Sequence, residues 1–566
     1  MSSRHLDRWL LVNYAGYPFA PNSLMPDNGL ANLAGSLLQS GRQVRIMDYC
    51  TLGILESFAP EELSAPLSRA WDRLAAPSGG GTAQLNRIAA LLSLHRCDRR
   101  RRVVQDRVAD RIAEELIADI RRNAVQALGF KLWNGDGLRG VIRMAAAVRR
   151  EFPRIRIFGG GPQVDVFMEH LLTGLKDFDA LVYGEGEETI LQLAESEGMP
   201  ASYGGIPNLL YLDGSRPQRT DASIVADLDA LPMPAYSREV YPAMAGNEKI
   251  KIVVIDESRG CRNNCAFCSH PIKSSRNLRT KSISRLVEEV DRLDRDFGIR
   301  AVRFAGSCTP YDLLNNFAAE IVNSGRMISY ASFAHIRDAK EADFGLLRRS
   351  GCLSLFFGIE SGNQDVLNKM RKGIRSREIP GVIGRARRAG IFTVGSLIYP
   401  APGDTAETAL ETLALMAEEP PDAVTIQAPI VTPRTDWFDR PERYGIRFSR
   451  GRDHYLREAL KWKLSLLLPP AFWGNLPVAI DGRSYKQVLR ETTRFVKQAR
   501  QAGLTTSFSD DMFLMSVLAG MSVPEFRDKS SAAFFAGDIA AVRELVRSIN
   551  AGRVGKVNGS AGADRS

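Results

Sequence analysis

Cysteine is scarce in this chain, seven residues in 566, and the odd, mostly scattered set excludes a disulfide framework and points to a reducing compartment. Long apolar runs are missing too. No stretch approaches the roughly 18 uninterrupted apolar residues of a spanning helix, and Met1 to Arg8 is polar rather than a signal segment. A cytoplasmic protein without a membrane span is expected. Acidic residues fall short of basic ones, 65 against 75, for a net charge of +10. Arg96 and Arg99 to Arg102 form the densest basic run. No RNP, zinc-finger or helix-turn-helix pattern accompanies it, so a solvated helical face is the better reading and a nucleic-acid partner is not expected.

What is present suits a globular protein: 44% apolar and 25% charged residues, over a length that suggests about two to four domains. Residues 9 to 197 alternate short apolar runs with helical patterns, as a doubly wound parallel α/β sheet does. Candidate strands are Leu10–Asn13, Val44–Met47, Val125–Gly129, Ile155–Phe158 and Ala180–Tyr183, and the stretch from Pro60 to Arg122 reads as a helical insertion. Pro200 to Asn247, rich in Pro, Gly, Asp and Ser around one weak hairpin at Leu209–Leu212, reads as a connector. A second series follows, with strands Ile252–Ile255, Ala301–Ala305, Tyr330–Ala334, Leu353–Ile359, Thr393–Ile398 and Val424–Ala428. Six β/α units suggest a partial TIM-type barrel. Beyond Pro433 apolar stripes at Leu456–Leu468, Val488–Ala502 and Met512–Leu518 predict a mainly helical domain. The expected divisions are 1–198, 199–248, 249–432, 433–550 and a disordered tail, 551–566.

Directly after the first strand of the second series stands Glu257-Ser-Arg-Gly-Cys261-Arg-Asn-Asn-Cys265-Ala-Phe-Cys268. Three thiolates within eight residues can hold three irons of one [4Fe-4S] cubane and leave the fourth iron open to a substrate. The alternative is zinc, but tetrahedral zinc usually shows a second close pair of ligands, and only His270 lies nearby. Cys261, Cys265 and Cys268 are therefore the candidate catalytic and metal-ligating residues.

The spacing Cys-x3-Cys-x2-Cys, with Phe267 before the third Cys, resembles the radical S-adenosylmethionine (SAM) superfamily. The resemblance implies that SAM chelates the open iron through its amino and carboxylate groups. One electron, ultimately from an external reductant, then splits it to methionine and a 5′-deoxyadenosyl radical, with Phe267 beside the adenine. Gly358-Ile359-Glu360-Ser361-Gly362 is similar to the family's segment bordering the SAM ribose and amino acid. Gly395 opens a stretch through Pro402-Gly403-Asp404-Thr405 similar to the one after the fifth strand, with Tyr399 in place of the usual Gly. Ala305-Gly306-Ser307-Cys308 departs from the family's Gly-Gly-Glu, which leaves Cys308 open between a packed thiol and one facing substrate; Cys352 reads as core.

In open α/β sheets, ligands bind outside the carboxyl ends of strands. Gly159-Gly160-Gly161 and Gly184-Glu185-Gly186-Glu187 belong there. With Gly41, Asp48, Gly129, Phe130 and Leu132 they resemble the cobalamin (B12)-binding domain that precedes the radical SAM barrel in one large subfamily. The resemblance implies cobalamin contacts at Gly129, Phe130, Leu132, Gly159, Gly160, Gly161, Gly184, Glu185 and Gly186. The loop Tyr14 to Gly29 contains no His to ligate cobalt from below. The expected function is a cobalamin-dependent radical SAM methyltransferase acting on an unactivated carbon of a small molecule or peptide natural product. The alternatives are an oxidase, cyclase or rearrangement enzyme with the same cofactors, and a non-enzymatic cobalamin or redox sensor. Trp437, Phe438, Arg440 and Glu442 read as domain-junction packing or substrate contacts.

Overall fold

A computed structural model describes residues 5–17, 20–75, 81–462 and 470–552. The expected tail beyond residue 552 and the end of the Leu456–Leu468 stripe, from residue 463, lie outside the described residues. The N-terminal sheet contains β1 (Arg8–Asn13), β2 (Gln43–Asp48), β3 (Ala127–Lys131), β4 (Arg156–Gly160), β5 (Ala180–Val182), β6 (Leu209–Asp213) and β7 (Arg216–Arg219). Their spatial order is β2-β1-β3-β4-β5-β6-β7, the first five parallel and the last two an antiparallel extension. The Leu209–Leu212 hairpin inside the expected connector thus hydrogen-bonds onto β5, because two short strands bury Leu209 and Leu210 only by joining an existing edge. β1 is buried at five of its six positions, as a central strand covered on both faces must be. The helix Asn28–Gln39 starts where the Asp27 carboxylate accepts the Leu30 N–H at 2.9 Å, a cap worth about 1 kcal/mol.

The helical insertion is two helices, Glu61–Ala75 and the long Gly81–Asn123. Its basic run is bound locally: Arg101 lies over the Tyr17 ring and Arg102 faces Asp98.

The second sheet takes β8 (Val253–Ile255), β11 (Ala301–Phe304), β12 (Ser329–Ala334), β13 (Cys352–Glu360), β14 (Phe392–Ile398) and β15 (Ala423–Gln427) side by side in chain order, all parallel. Six β/α units curl into a partial barrel. β14 is buried at all seven positions. Between β8 and β11 a two-residue ladder, β9 (Ser258–Arg259) against β10 (Arg279–Thr280), frames the cysteine loop.

The C-terminal region adds a small antiparallel sheet that the sequence pattern does not show, β16 (Ile446–Phe448), β17 (Val478–Ile480) and β18 (Arg483–Ser484). The helix Asp510–Ala519 packs on the inner face of the barrel sheet: Asp510 pairs with Arg303 at 2.8 Å and Phe513 stacks on Phe392 at 3.9 Å between ring centres.

Candidate functional site

The loop after β8 is anchored by a buried acid. Glu257 is fully buried, and its carboxylate accepts from the Gly306 N–H at 3.0 Å, the Thr309 hydroxyl at 2.6 Å and the Ser258 hydroxyl at 2.9 Å. Burial nonetheless pushes its pKa above the usual carboxylate range. A Cβ on residue 306 would lie 2.0 Å from a Glu257 oxygen, so the glycine lets the backbone after β11 close on this acid. At Gly260 the chain turns with φ +92°, where a Cβ would meet the Asn277 carbonyl at 2.2 Å; only glycine fits.

Cys261 is buried, Cys265 and Cys268 are half-buried, and all three are free thiols. Ala266 is gripped from both sides: its N–H donates to the Met370 carbonyl at 2.9 Å, and its carbonyl accepts the Trp437 N–H at 3.1 Å. The Asn263 amide reaches Cys261 Sγ at 3.7 Å, and the His270 N–H reaches Cys268 Sγ at 3.4 Å. Burial raises the Cys265 pKa and takes Cys268 to about 11. Among the described residues no three His, Cys, Asp or Glu side chains gather to hold one metal ion. Zinc needs ligands that converge on a point, whereas a cubane offers each thiolate a separate corner. Phe267 is half-buried, its ring 5.6 Å from that of Trp437. Trp437 and Phe438 are buried, while Arg440 and Glu442 are exposed.

Glu360 ends β13 in a left-handed conformation, φ +69°, beside a register shift. Its carboxylate pairs with buried Lys372 at 2.7 Å. Burial opposes the Lys372 charge, but Glu360 and the nearby Cys265 outweigh it and hold its pKa above the ordinary lysine value. A Cβ at Gly358 would touch both partners, at 2.6 and 2.7 Å. Buried Ser361 accepts the Asn363 N–H at 3.2 Å, and Gly395 packs where a Cβ would meet Ile359 at 2.9 Å. Tyr399 stacks on Phe495 at 4.3 Å. Asp404 caps its own turn, accepting from the Ala401 N–H and the Thr408 hydroxyl, and burial lifts its pKa to about 6. Cys308 is half-buried after β11, its thiol pushed up to about 12 by burial; Cys352 is core, with no exposed surface.

The strand order of the N-terminal sheet reverses between β1 and β3, so the crevice of an open α/β sheet opens at their carboxyl ends. Asn13, Lys131 and Trp133 stand there; the Trp133 N–H donates to Asn13 Oδ1 at 2.9 Å, and Lys131 pairs with Asp27. Phe130 and Leu132 are buried in the sheet's core, and Gly129 and Gly159 are packing positions where a Cβ would meet Leu11 or Leu132 at 2.8 Å. Gly184 is exposed at this edge, and Gly160, Gly161 and Gly186 are half-buried. Glu185 is engaged elsewhere: Arg279 binds both its oxygens, at 2.6 and 3.0 Å, and Arg259 lies 3.5 Å away. Arg259 also pairs with Glu187 at 2.6 Å and Asp256 at 2.9 Å. The Gly-Glu-Gly-Glu turn thereby clamps the sheet onto the frame of the cysteine loop. Arg434 donates to the Asp165 carbonyl at 2.7 Å, and a Cβ on Gly184 would lie 3.7 Å from the Lys273 carbonyl. The carboxyl edge of one sheet faces the cysteine loop of the other.

Sequence reasoning passed over Glu257, Lys372, the Arg259–Glu185 clamp and His335. The clamp joins residues distant in the chain, but an Arg two residues before the first Cys was a usable signal.

A parallel barrel with a three-cysteine loop at its carboxyl end thus faces an open α/β sheet. Residues 257–416 match the model of the Radical SAM superfamily and residues 75–194 that of the B12 binding domain, so the chain carries both domains. It is 26% identical over 254 residues to an uncharacterized methyltransferase of Pyrococcus horikoshii, covering 44% of this chain and 54% of that one. It is 25% identical over 342 residues to the hopanoid C-3 methylase of Methylococcus capsulatus, covering 59% and 64%. The match thus spans between about half and two thirds of these relatives. In fold it resembles the radical SAM methyltransferase TsrM of Kitasatospora setae, solved with cobalamin and a [4Fe-4S] cluster, with a TM-score of 0.63 at 15% identity over 95% of this chain and 98% of that one. Among the described residues no helix is long and apolar enough to cross a membrane.

Proposed function

We propose that the chain is a cobalamin-dependent radical SAM methyltransferase that moves a methyl group from SAM to an unactivated carbon of a small molecule. The observation that carries this reading is the facing of the cysteine loop and the carboxyl edge of the N-terminal sheet, linked by Arg259 and Arg279 to Glu185 and by Arg434 to Asp165. When bound, the cluster supplies the electron that splits SAM, and the corrinoid carries the methyl group. Three free thiols in one loop suit the cubane: Cys261, Cys265 and Cys268 would hold it. Phe267, backed by Trp437, would offer adenine a flat apolar wall. Glu360 and Ser361 would face the ribose and amino acid, with Lys372 holding Glu360 in place. Gly160, Gly161 and Gly184 would let the sheet edge approach the corrin closely, and Lys131 and Trp133 would border it at the β1–β3 crevice. Enclosing both cofactors between two clamped sheets orients the reactants and excludes water.

The test is anaerobic reconstitution with iron, sulfide and cobalamin, then SAM, a reductant and candidate small molecules. Methyl transfer yields S-adenosylhomocysteine and 5′-deoxyadenosine together, and Cys265→Ala abolishes the second. Deoxyadenosine without S-adenosylhomocysteine would assign radical chemistry without methyl transfer and retire the methyltransferase reading.

A further inference from the structure

His335 follows β12 directly, at the carboxyl end of the barrel, on the same rim as Glu257, Gly306 and Glu360. Only 5% of it is exposed. The Arg337 N–H donates to its Nδ1 at 3.2 Å, which fixes that nitrogen as the acceptor and puts the ring proton on Nε2. Nε2 is buried with no hydrogen-bond partner among the described residues. Native proteins rarely leave such a donor unpaired, because its lost hydration is not recovered, so an acceptor from outside the chain is the natural partner. Burial, helped by the charges of Lys372 and Arg337, takes its pKa down to about 3, so the ring is a neutral donor.

The surroundings select the partner's chemistry. Lys372 and Arg337 are both close enough for their positive charge to act on the ring, and Lys372 also acts on Cys265 and Cys268. Each cation is balanced by its own carboxylate, Lys372 by Glu360 at 2.7 Å and Arg337 by Asp338 at 3.2 Å, so what the ring asks for is a hydrogen-bond acceptor; an anionic oxygen is the strongest one, and an ammonium group, which only donates, does not fit.

We infer that His335 Nε2–H is a specific hydrogen-bond donor to the carboxylate of SAM at the cysteine loop. This assignment rests on the radical SAM reading and goes beyond it by naming a residue outside the motifs. It explains why a histidine is kept buried with half of its polar capacity unused.

The test measures SAM affinity, not turnover. Anaerobically reconstituted wild type, His335→Phe (ring volume without the donor) and His335→Gln (an amide N–H in the same region) are titrated with SAM by calorimetry. The change in the reduced cluster's EPR signal on SAM addition is a second readout. The same titrations are run with decarboxylated SAM. Loss of a charge-assisted hydrogen bond predicts at least about tenfold weaker SAM binding by His335→Phe, substantial recovery in His335→Gln, and equal affinities of wild type and His335→Phe for decarboxylated SAM. Should His335→Phe fail to fold, the wild-type preference for SAM over decarboxylated SAM, compared with that of His335→Gln and His335→Asn, carries the test; an unchanged preference across all three would overturn the assignment. Unaltered SAM affinity in a folded His335→Phe would overturn it while leaving the radical SAM reading intact. Equal weakening for both ligands would remove the carboxylate as the partner. If wild type forms its cluster but binds no SAM, the functional reading itself fails, and this inference with it.

Discussion

Lys372 is the residue on which charge around the cysteine loop turns. It is buried, paired with Glu360 at 2.7 Å, and near Cys265 and Cys268. A positive charge there favours the more reduced, more negative state of whatever the thiolates hold. Lys372→Met removes that charge and leaves Glu360 buried and unpaired, so the midpoint potential of the reconstituted cluster, read by EPR-monitored titration, should fall by roughly 50–100 mV. Asp404 makes a prediction of opposite character, about folding. Its pKa is about 6 because of burial, above the value it has unfolded, so the folded state holds the proton more tightly. Stability from this group is fully present below the unfolded pKa and is lost as pH rises through about 6. Asp404→Asn has no such proton to lose. Wild-type stability relative to that variant should decline by up to roughly 3 kcal/mol between pH 4 and pH 7 in urea unfolding, and a pH-independent difference would contradict the buried-acid assignment. At this scale the three cysteines were legible because their chemistry lies in local spacing. His335 was not, since what singles it out is an unpaired nitrogen that only tertiary packing reveals.

Among elements, the Gly-Glu-Gly-Glu turn after β5 shows how one segment serves two demands. Its glycines stand at the sheet edge, while Glu185 and Glu187 reach across to Arg279 and Arg259 on either side of the cysteine loop. Glu185→Ala leaves Arg279, with only 7% of its side chain exposed, without its carboxylate. Breaking a buried pair from one side costs about 3–5 kcal/mol, so the denaturant midpoint should drop accordingly, while Glu188→Ala, at an exposed position of the same turn, should leave it nearly unchanged. A small effect at Glu185 would mean the clamp is solvated in solution. Strands such as β14 announce themselves as continuous apolar runs because both faces are covered. The sheet of β16, β17 and β18 could not, with strands of three, three and two residues too short to show a period. The helix Asp510–Ala519 did show in the stripe Met512–Leu518, but its burial on several sides blurs which face it presents, so its place against the barrel sheet was not legible.

For the whole molecule, the C-terminal helices join parts that the sequence suggests are separate. The segment ahead of Asp510–Ala519 extends the barrel sheet, with the Val424 N–H donating to the Thr505 carbonyl at 2.7 Å, and the helix itself fills the sheet's inner face through Asp510 and Phe513. The next two helices turn to the N-terminal sheet's side: the Tyr17 hydroxyl donates to the Phe534 carbonyl at 2.8 Å, and Asn550 bonds the backbone of Lys249 and Lys251 at 2.9 and 2.7 Å. Phe508, Leu514, Met515, Phe526, Phe534, Val542, Leu545 and Ile549 are all buried on this path, at about 1.5–3 kcal/mol each. Their sum, about 12–24 kcal/mol, is as large as the roughly 5–15 kcal/mol by which a folded domain is stable, so neither sheet should persist without them. The full chain should therefore melt in one calorimetric transition, and a chain ending at Gly503 should lack a cooperative transition or aggregate on expression. If that shortened chain melts within a few degrees of the full one, the helices are an appendage, and the facing of the two sheets must be held by the arginine clamp alone.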